Sequence, residues 1–166
     1  MDRRHAKILN VIKKKGVEAG IEVSIEPRIP GVDRKKPDLD FEFSNNLTDD
    51  MMSDLSIIHS TAPSYVHISI EAQLYNRAKT KTAKYLNFVR NADRKFKAFE
   101  VTSYGVFGPN ARAVVQLFAQ HADDMLFTEE SKEFADSFYD EMLIELMIGN
   151  AKIIRQCHTK SLHPSV

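Results

Sequence analysis

The chain has 166 residues, 43% of them apolar and 28% charged, which is the composition of an ordinary soluble protein with room for one hydrophobic core. Its 23 basic and 23 acidic residues cancel to a formal net charge of zero, and the single Cys157 excludes an internal disulfide and, with so few His at ligand spacing, a structural zinc site. No apolar stretch approaches the roughly 18 residues of a membrane span, and no signal-peptide core follows the charged start Met1-Asp2-Arg3-Arg4-His5, so the expectation is an intracellular protein in a reducing compartment.

His5, Ile8, Leu9 and Ile12 follow helical spacing, and Gly16 with Gly20 supplies a stop, which predicts an amphipathic helix from residue 2 to about 19. Glu22 to Glu26 alternates as a strand, and Pro27, Pro30 and Gly31 break it before the basic turn Asp33-Arg34-Lys35-Lys36. Leu39, Phe41 and Phe43 form one face of a second strand, with Asp38, Asp40 and Glu42 on the other, as suits a hairpin strand with a wet side. After a turn over residues 45–50, Met51 to His59 predicts a third strand with Asp54 and Ser56 on a shared face. Thr61-Ala62-Pro63-Ser64 ends it, and a long helix is predicted from about Ala72 to Arg94. Lys97 to Tyr104 reads as a strand, Gly105, Gly108 and Pro109 as a turn into a helix, and Ala111, Val114, Val115, Phe118 and Ala122 as the core stripe of that helix. Thr128 is placed to cap a last helix that buries Ala135, Phe138, Tyr139, Met142, Leu146 and Met147 and ends near Gly149, with a frayed tail after Cys157. These elements predict an α/β domain over residues 1–157, a small mixed sheet flanked by helices with additional C-terminal helices, and a tail over 158–166.

Charge is segregated despite the zero sum. The stretch from Arg77 to Lys97 carries eight basic residues against Asp93 alone, whereas the stretch from Asp123 to Glu145 is acidic apart from Lys132. On the predicted helix, Arg77, Lys81, Lys84 and Tyr85 are spaced to share one side. Cleaving a phosphodiester at neutral pH requires neutralisation of a crowded anionic phosphorus and a supply of hydroxide. Two aspartates such as Asp38 and Asp54 can hold magnesium for both tasks. A lysine beside the ion can orient the attacking water and stabilise charge on the phosphate oxygens. Ser56 has no triad around it, and the histidines do not cluster at metal spacing.

The order of short motifs adds a resemblance that covers most of the chain. Arg4-His5 at a helix start, Ala19-Gly20, Glu26-Pro27, Lys36-Pro37-Asp38-Leu39, Asp54-Leu55-Ser56-Ile57-Ile58-His59 with Ala62-Pro63-Ser64-Tyr65, then Arg77, Lys81, Lys84-Tyr85, Tyr104-Gly105, Gly108-Pro109 and Gly149-Asn150-Ala151 follow one another. Together they resemble the restriction-enzyme-like endonuclease domain at the C-terminus of certain non-long-terminal-repeat retrotransposon polyproteins. The resemblance implies a restriction-endonuclease-like core of the PD-(D/E)XK type in which Ser56 replaces the usual strand lysine and the lysine's role moves to the helix. It implies that Asp38 and Asp54 bind Mg2+ or Mn2+, that Lys81 or Lys84 contacts the scissile phosphate or water, and that Tyr85 positions them. Arg77, Lys79, Lys81 and Lys84 would hold the DNA backbone. Asp40 is an alternative first ligand, with Asp38 preferred because Pro37 precedes it, and Glu26 is a further candidate. The implied partners are DNA and, in a parent polyprotein, upstream zinc-binding and reverse transcriptase domains; no membrane partner is expected, and the implied compartment is the nucleus. The competing expectation is a catalytically inactive nucleic-acid-binding or protein-interaction module on the same scaffold, and the acidic helices after residue 123 offer a third, protein-binding reading.

Overall fold

The computed structural model describes residues 3–27, 36–43, 50–126 and 131–162, which form four helices and one four-stranded sheet. In chain order these are α1 (Arg3–Glu18), β1 (Ile21–Ile25), β2 (Leu39–Phe43), β3 (Met51–Ile58), α2 (Ile70–Asn91), β4 (Lys95–Thr102), α3 (Pro109–Leu126) and α4 (Ser131–Leu162). The strands lie in the order β1-β2-β3-β4, antiparallel between β1 and β2 and between β2 and β3, and parallel between β3 and β4. A parallel neighbour requires a crossover, and α2 supplies it. The expected basic turn at 33–35, the turn at 45–49 and the Thr128 cap lie outside the described residues.

Strand alternation divides the sheet into two unlike faces. Phe41, Leu55, Phe99 and Val101 point into an apolar core closed by α1, α3 and α4, where the Phe118 ring meets Phe41 edge-on at 5.1 Å between centroids. The other face carries Asp54 and Ser56 from β3 and, one strand over, Glu100, which pairs with Ser56. Here α2 is the cover. It lays Leu74, Ala78, Tyr85 and Val89 inward at helical spacing, and Tyr85 lies 5.3 Å from the Phe96 ring. The start of α2 is fixed by Ser69, whose hydroxyl accepts the Ala72 N–H at 3.2 Å, and by Gln73, whose amide donates to Tyr65 O (3.2 Å) and Ile68 O (2.8 Å) in the preceding loop.

Four expectations are corrected. Gly16 does not stop α1; the stop is Gly20, at φ 74°, while Gly16 lies inside the helix where a Cβ would come within 2.2 Å of Val23 Cγ2. The wet side of β2 is not uniformly wet, because the Arg94 guanidinium folds over it to meet Asp40 (3.5 Å), Glu42 (3.0 Å) and Asp50 (2.8 Å), leaving Asp40 buried. Gly149 does not end the last helix, which continues to Leu162. A Cβ at Gly149 would sit 2.6 Å from Arg4 Cγ, so the glycine permits close approach of α1 and α4. Met147 is not core but 70% exposed: Phe138, Met142 and Leu146 repeat every four residues, and Met147 lies off that row.

Candidate active site

The β2–β3 ladder ends at Leu39 opposite Ser53, so the next step outward sets Asp38 against Asp54. Asp38 turns inward there: its Oδ2 accepts the Leu55 N–H at 3.0 Å, a backbone donor that would otherwise have paired with a longer β2. Its own carbonyl accepts the Glu26 N–H at 2.7 Å. From α1, His5 Nε2 lies 3.3 Å from the same Asp38 oxygen and 3.4 Å from Leu55 O. Both neighbours accept, so Nε2 carries the proton. The hydrogen bond to Asp38 raises the pKa of His5 against the opposing effect of burial.

Asp54 is 3% exposed and is held from above by α2. Its Oδ1 accepts the Tyr85 hydroxyl at 2.5 Å, and Lys84 Nζ donates to that hydroxyl at 2.6 Å while lying 4.4 Å from the ring centroid. Its Oδ2 is closed off from solvent and accepts no hydrogen bond in good geometry, yet the Lys81 ammonium meets it as an ion pair. Burial, then the hydrogen bond to Asp54, pushes the Tyr85 phenol well up, so the hydroxyl stays a proton donor across the ordinary pH range. The convergence follows from spacing: Ala78, Lys81 and Tyr85 share one side of a helix whose apolar members lie against the sheet.

Thus Asp38, Asp54, Lys81, Lys84 and Tyr85 come together. The other named residues do not. Arg77 turns to the loop and donates to the Tyr65 hydroxyl at 3.2 Å. Lys79 lies along α2 beside Tyr75 and Thr82, lining a cavity of about 520 Å3 that Glu100 also lines. Asp40 is engaged with Arg94. Glu26 is exposed at φ 50°, and its backbone rather than its carboxylate reaches the neighbourhood of Asp38.

Among the described residues no three or more His, Cys, Asp or Glu side chains form a group able to hold a metal ion. Two carboxylates remain, which are the hard oxygen donors that magnesium or manganese takes, with water and substrate filling the other positions. Asp54 Oδ2 has the Lys81 ammonium as its counter-charge. Two residues of chemical interest escaped the sequence reading. His5 registered only as the first member of the α1 stripe and of a helix-start motif, because its partners lie 33 and 50 positions away. Glu100 was hidden in an apolar strand; the signal was a lone acid between Phe99 and Val101. It is fully buried, Oε1 accepts the Asn110 N–H at 3.0 Å, and Oε2 has no partner among the described residues. Burial pushes its carboxyl up to about 7 against the pull of the α3 N-terminal amides. No protein-family model and no curated protein matches this chain.

Proposed function

We propose that this protein is a metal-dependent DNA endonuclease or nickase of the PD-(D/E)XK type, with a restriction-endonuclease-like core and similar to the endonuclease module of a non-long-terminal-repeat retrotransposon. The observation that carries this reading is Lys81 of α2 on Asp54 Oδ2, with Tyr85 on Oδ1 and Asp38 docked on the very next backbone amide. The order helix, three antiparallel strands, crossover helix and parallel strand supports the same reading. Asp38 and Asp54 would hold Mg2+ or Mn2+, and the bound ion would supply a hydroxide and offset charge on the phosphorus. Of the two lysines, Lys81 is the one assigned to the phosphate, since it touches Asp54 itself. Lys84 positions Tyr85, and Tyr85 fixes the Asp54 rotamer. The basic flank of α2, including Arg77 and Lys79, would meet the DNA backbone through charge that does not read sequence.

The test is nicking of supercoiled plasmid with and without Mg2+. The expected result is metal-dependent conversion to open circles by the parent and none by Asp54→Ala or Asp38→Ala. Binding of DNA without nicking at any Mg2+ or Mn2+ concentration would instead make the protein an inactive module on this scaffold.

A further inference from the structure

Beyond Ser53, β3 has no strand beside it on the β2 side among the described residues. Asp38 and His5 occupy the first of that open edge, at Leu55, and the edge then runs to His59. At its end stands an aromatic pair that the nuclease chemistry does not use. The His59 and Tyr104 rings stack with centroids 6.0 Å apart and planes at 29°, and Tyr104 is 60% exposed. Both rings are pinned. His59 Nδ1 and Ser103 Oγ share a hydrogen bond of 3.1 Å, and the Thr61 and Tyr104 hydroxyls share one of 3.2 Å. The Ser103 N–H donates to Ile58 O at 2.8 Å, the Asn150 amide donates to Ser103 O at 2.7 Å, and Arg4 donates to Asn150 Oδ1 at 2.8 Å. Against the rings opens a cavity of about 440 Å3, lined also by Arg4, Asn150, Ile153 and Ile154.

We propose that this cavity is a stacking subsite for an unpaired nucleobase of the DNA strand that passes through the Asp38–Asp54 site. The proposal rests on the nuclease reading for the identity of the strand, while its geometry stands by itself. A preset, water-exposed ring with an apolar wall opposite suits a flat heterocycle, and ordering it beforehand lowers the entropy lost on binding. Arg4, which donates to Asn150, adds positive charge to the cavity wall. His59 follows Asp54 by five residues, roughly 16 Å at ~3.3 Å each, and the cavity beside it is lined from α1 and α4, so a strand leaving the α2 face would round the open β3 edge at Asp38 and His5 to reach it. Bases inside a duplex are already stacked on one another, so the ligand is single-stranded: an overhang, a flap or a melted end.

The experiment uses the full chain in EDTA, which prevents cutting, and oligonucleotides with 2-aminopurine placed in a five-nucleotide overhang or in a blunt duplex of the same length. The expected result is quenching of the overhang probe and affinity roughly tenfold above the blunt duplex. Tyr104→Ala and Ile154→Asp should remove both, and Tyr104→Phe should keep both. Equal affinity for the two probes, or an overhang preference untouched by Tyr104→Ala in protein of parental melting temperature, overturns the subsite. Plasmid nicking separates the two readings. Nicking with a Tyr104-insensitive probe sinks the subsite alone, whereas a Tyr104-sensitive overhang preference without nicking supports it and sinks the nuclease.

Discussion

At the scale of single residues, two neighbouring lysines on α2 have different partners: Lys81 meets the Asp54 carboxylate and Lys84 the Tyr85 hydroxyl. On the proposed nuclease reading, Lys81→Ala is expected to lower the nicking rate roughly 10²- to 10³-fold, as for the loss of a group that stabilises transition-state charge. Lys84→Ala and Tyr85→Phe act through Asp54 and should cost about tenfold. Single-turnover rates on plasmid check this ranking, and an inverted order of Lys81 and Lys84 would refute it. Glu100 makes a separate claim on stability. Its folded pKa of about 7 lies above the ordinary 4.5, so between those values the folded state holds a proton that the unfolded state has released. Stability contributed by the neutral carboxyl is therefore full below about pH 4.5 and is lost as pH rises to about 7, on the order of 3 kcal/mol in all. Urea unfolding across that window should show the decline in the parent and a clearly smaller one in Glu100→Gln, what is left coming from Asp40 and His5, whose pKa values are also raised.

At the scale of elements, glycines decide how closely helices and strands approach. Gly16 brings α1 onto β1 at Val23, and Gly16→Ala should destabilise the fold by about 1–2 kcal/mol, overpacking outweighing the better helix propensity of alanine. Adding Val23→Ala should recover part of the loss, with denaturant midpoints as the measure. The same glycines show what was legible in the sequence. The periods of α1, β2, β3 and α3 were readable because one buried face imposes them on the chain. A glycine, however, looks alike whether it allows a left-handed turn, as Gly20 does, or a close contact, as Gly16 and Gly149 do. The convergence of Asp38 with Asp54, and of Lys81 with Tyr85, was readable from alternation and helical spacing. The parts contributed from afar were not. Arg94 reaches Asp40 across 54 positions, and His5 reaches Asp38 across 33, distances that only the tertiary fold closes.

At the scale of the whole molecule, the sheet has one apolar face and one that buries polar and charged side chains. The apolar side is closed by α1, α3 and α4, while the polar side relies on α2 and on charges matched within it. Because Lys81 already offsets Asp54, the fold is expected to form without a divalent ion. EDTA should leave the circular dichroism spectrum and the cooperative melt unchanged, unlike a domain whose folding energy is metal binding; collapse of the melt in EDTA would contradict this.

The contact between Lys81 and Asp54 Oδ2 bears on binding as well. On the nuclease reading, Asp54 Oδ2 would serve a divalent ion in place of the Lys81 ammonium that now meets it, and the released ammonium would be free to pair with a phosphate. Metal occupancy and the lysine's availability would then be linked through one oxygen, so that phosphate affinity would rise with the divalent ion.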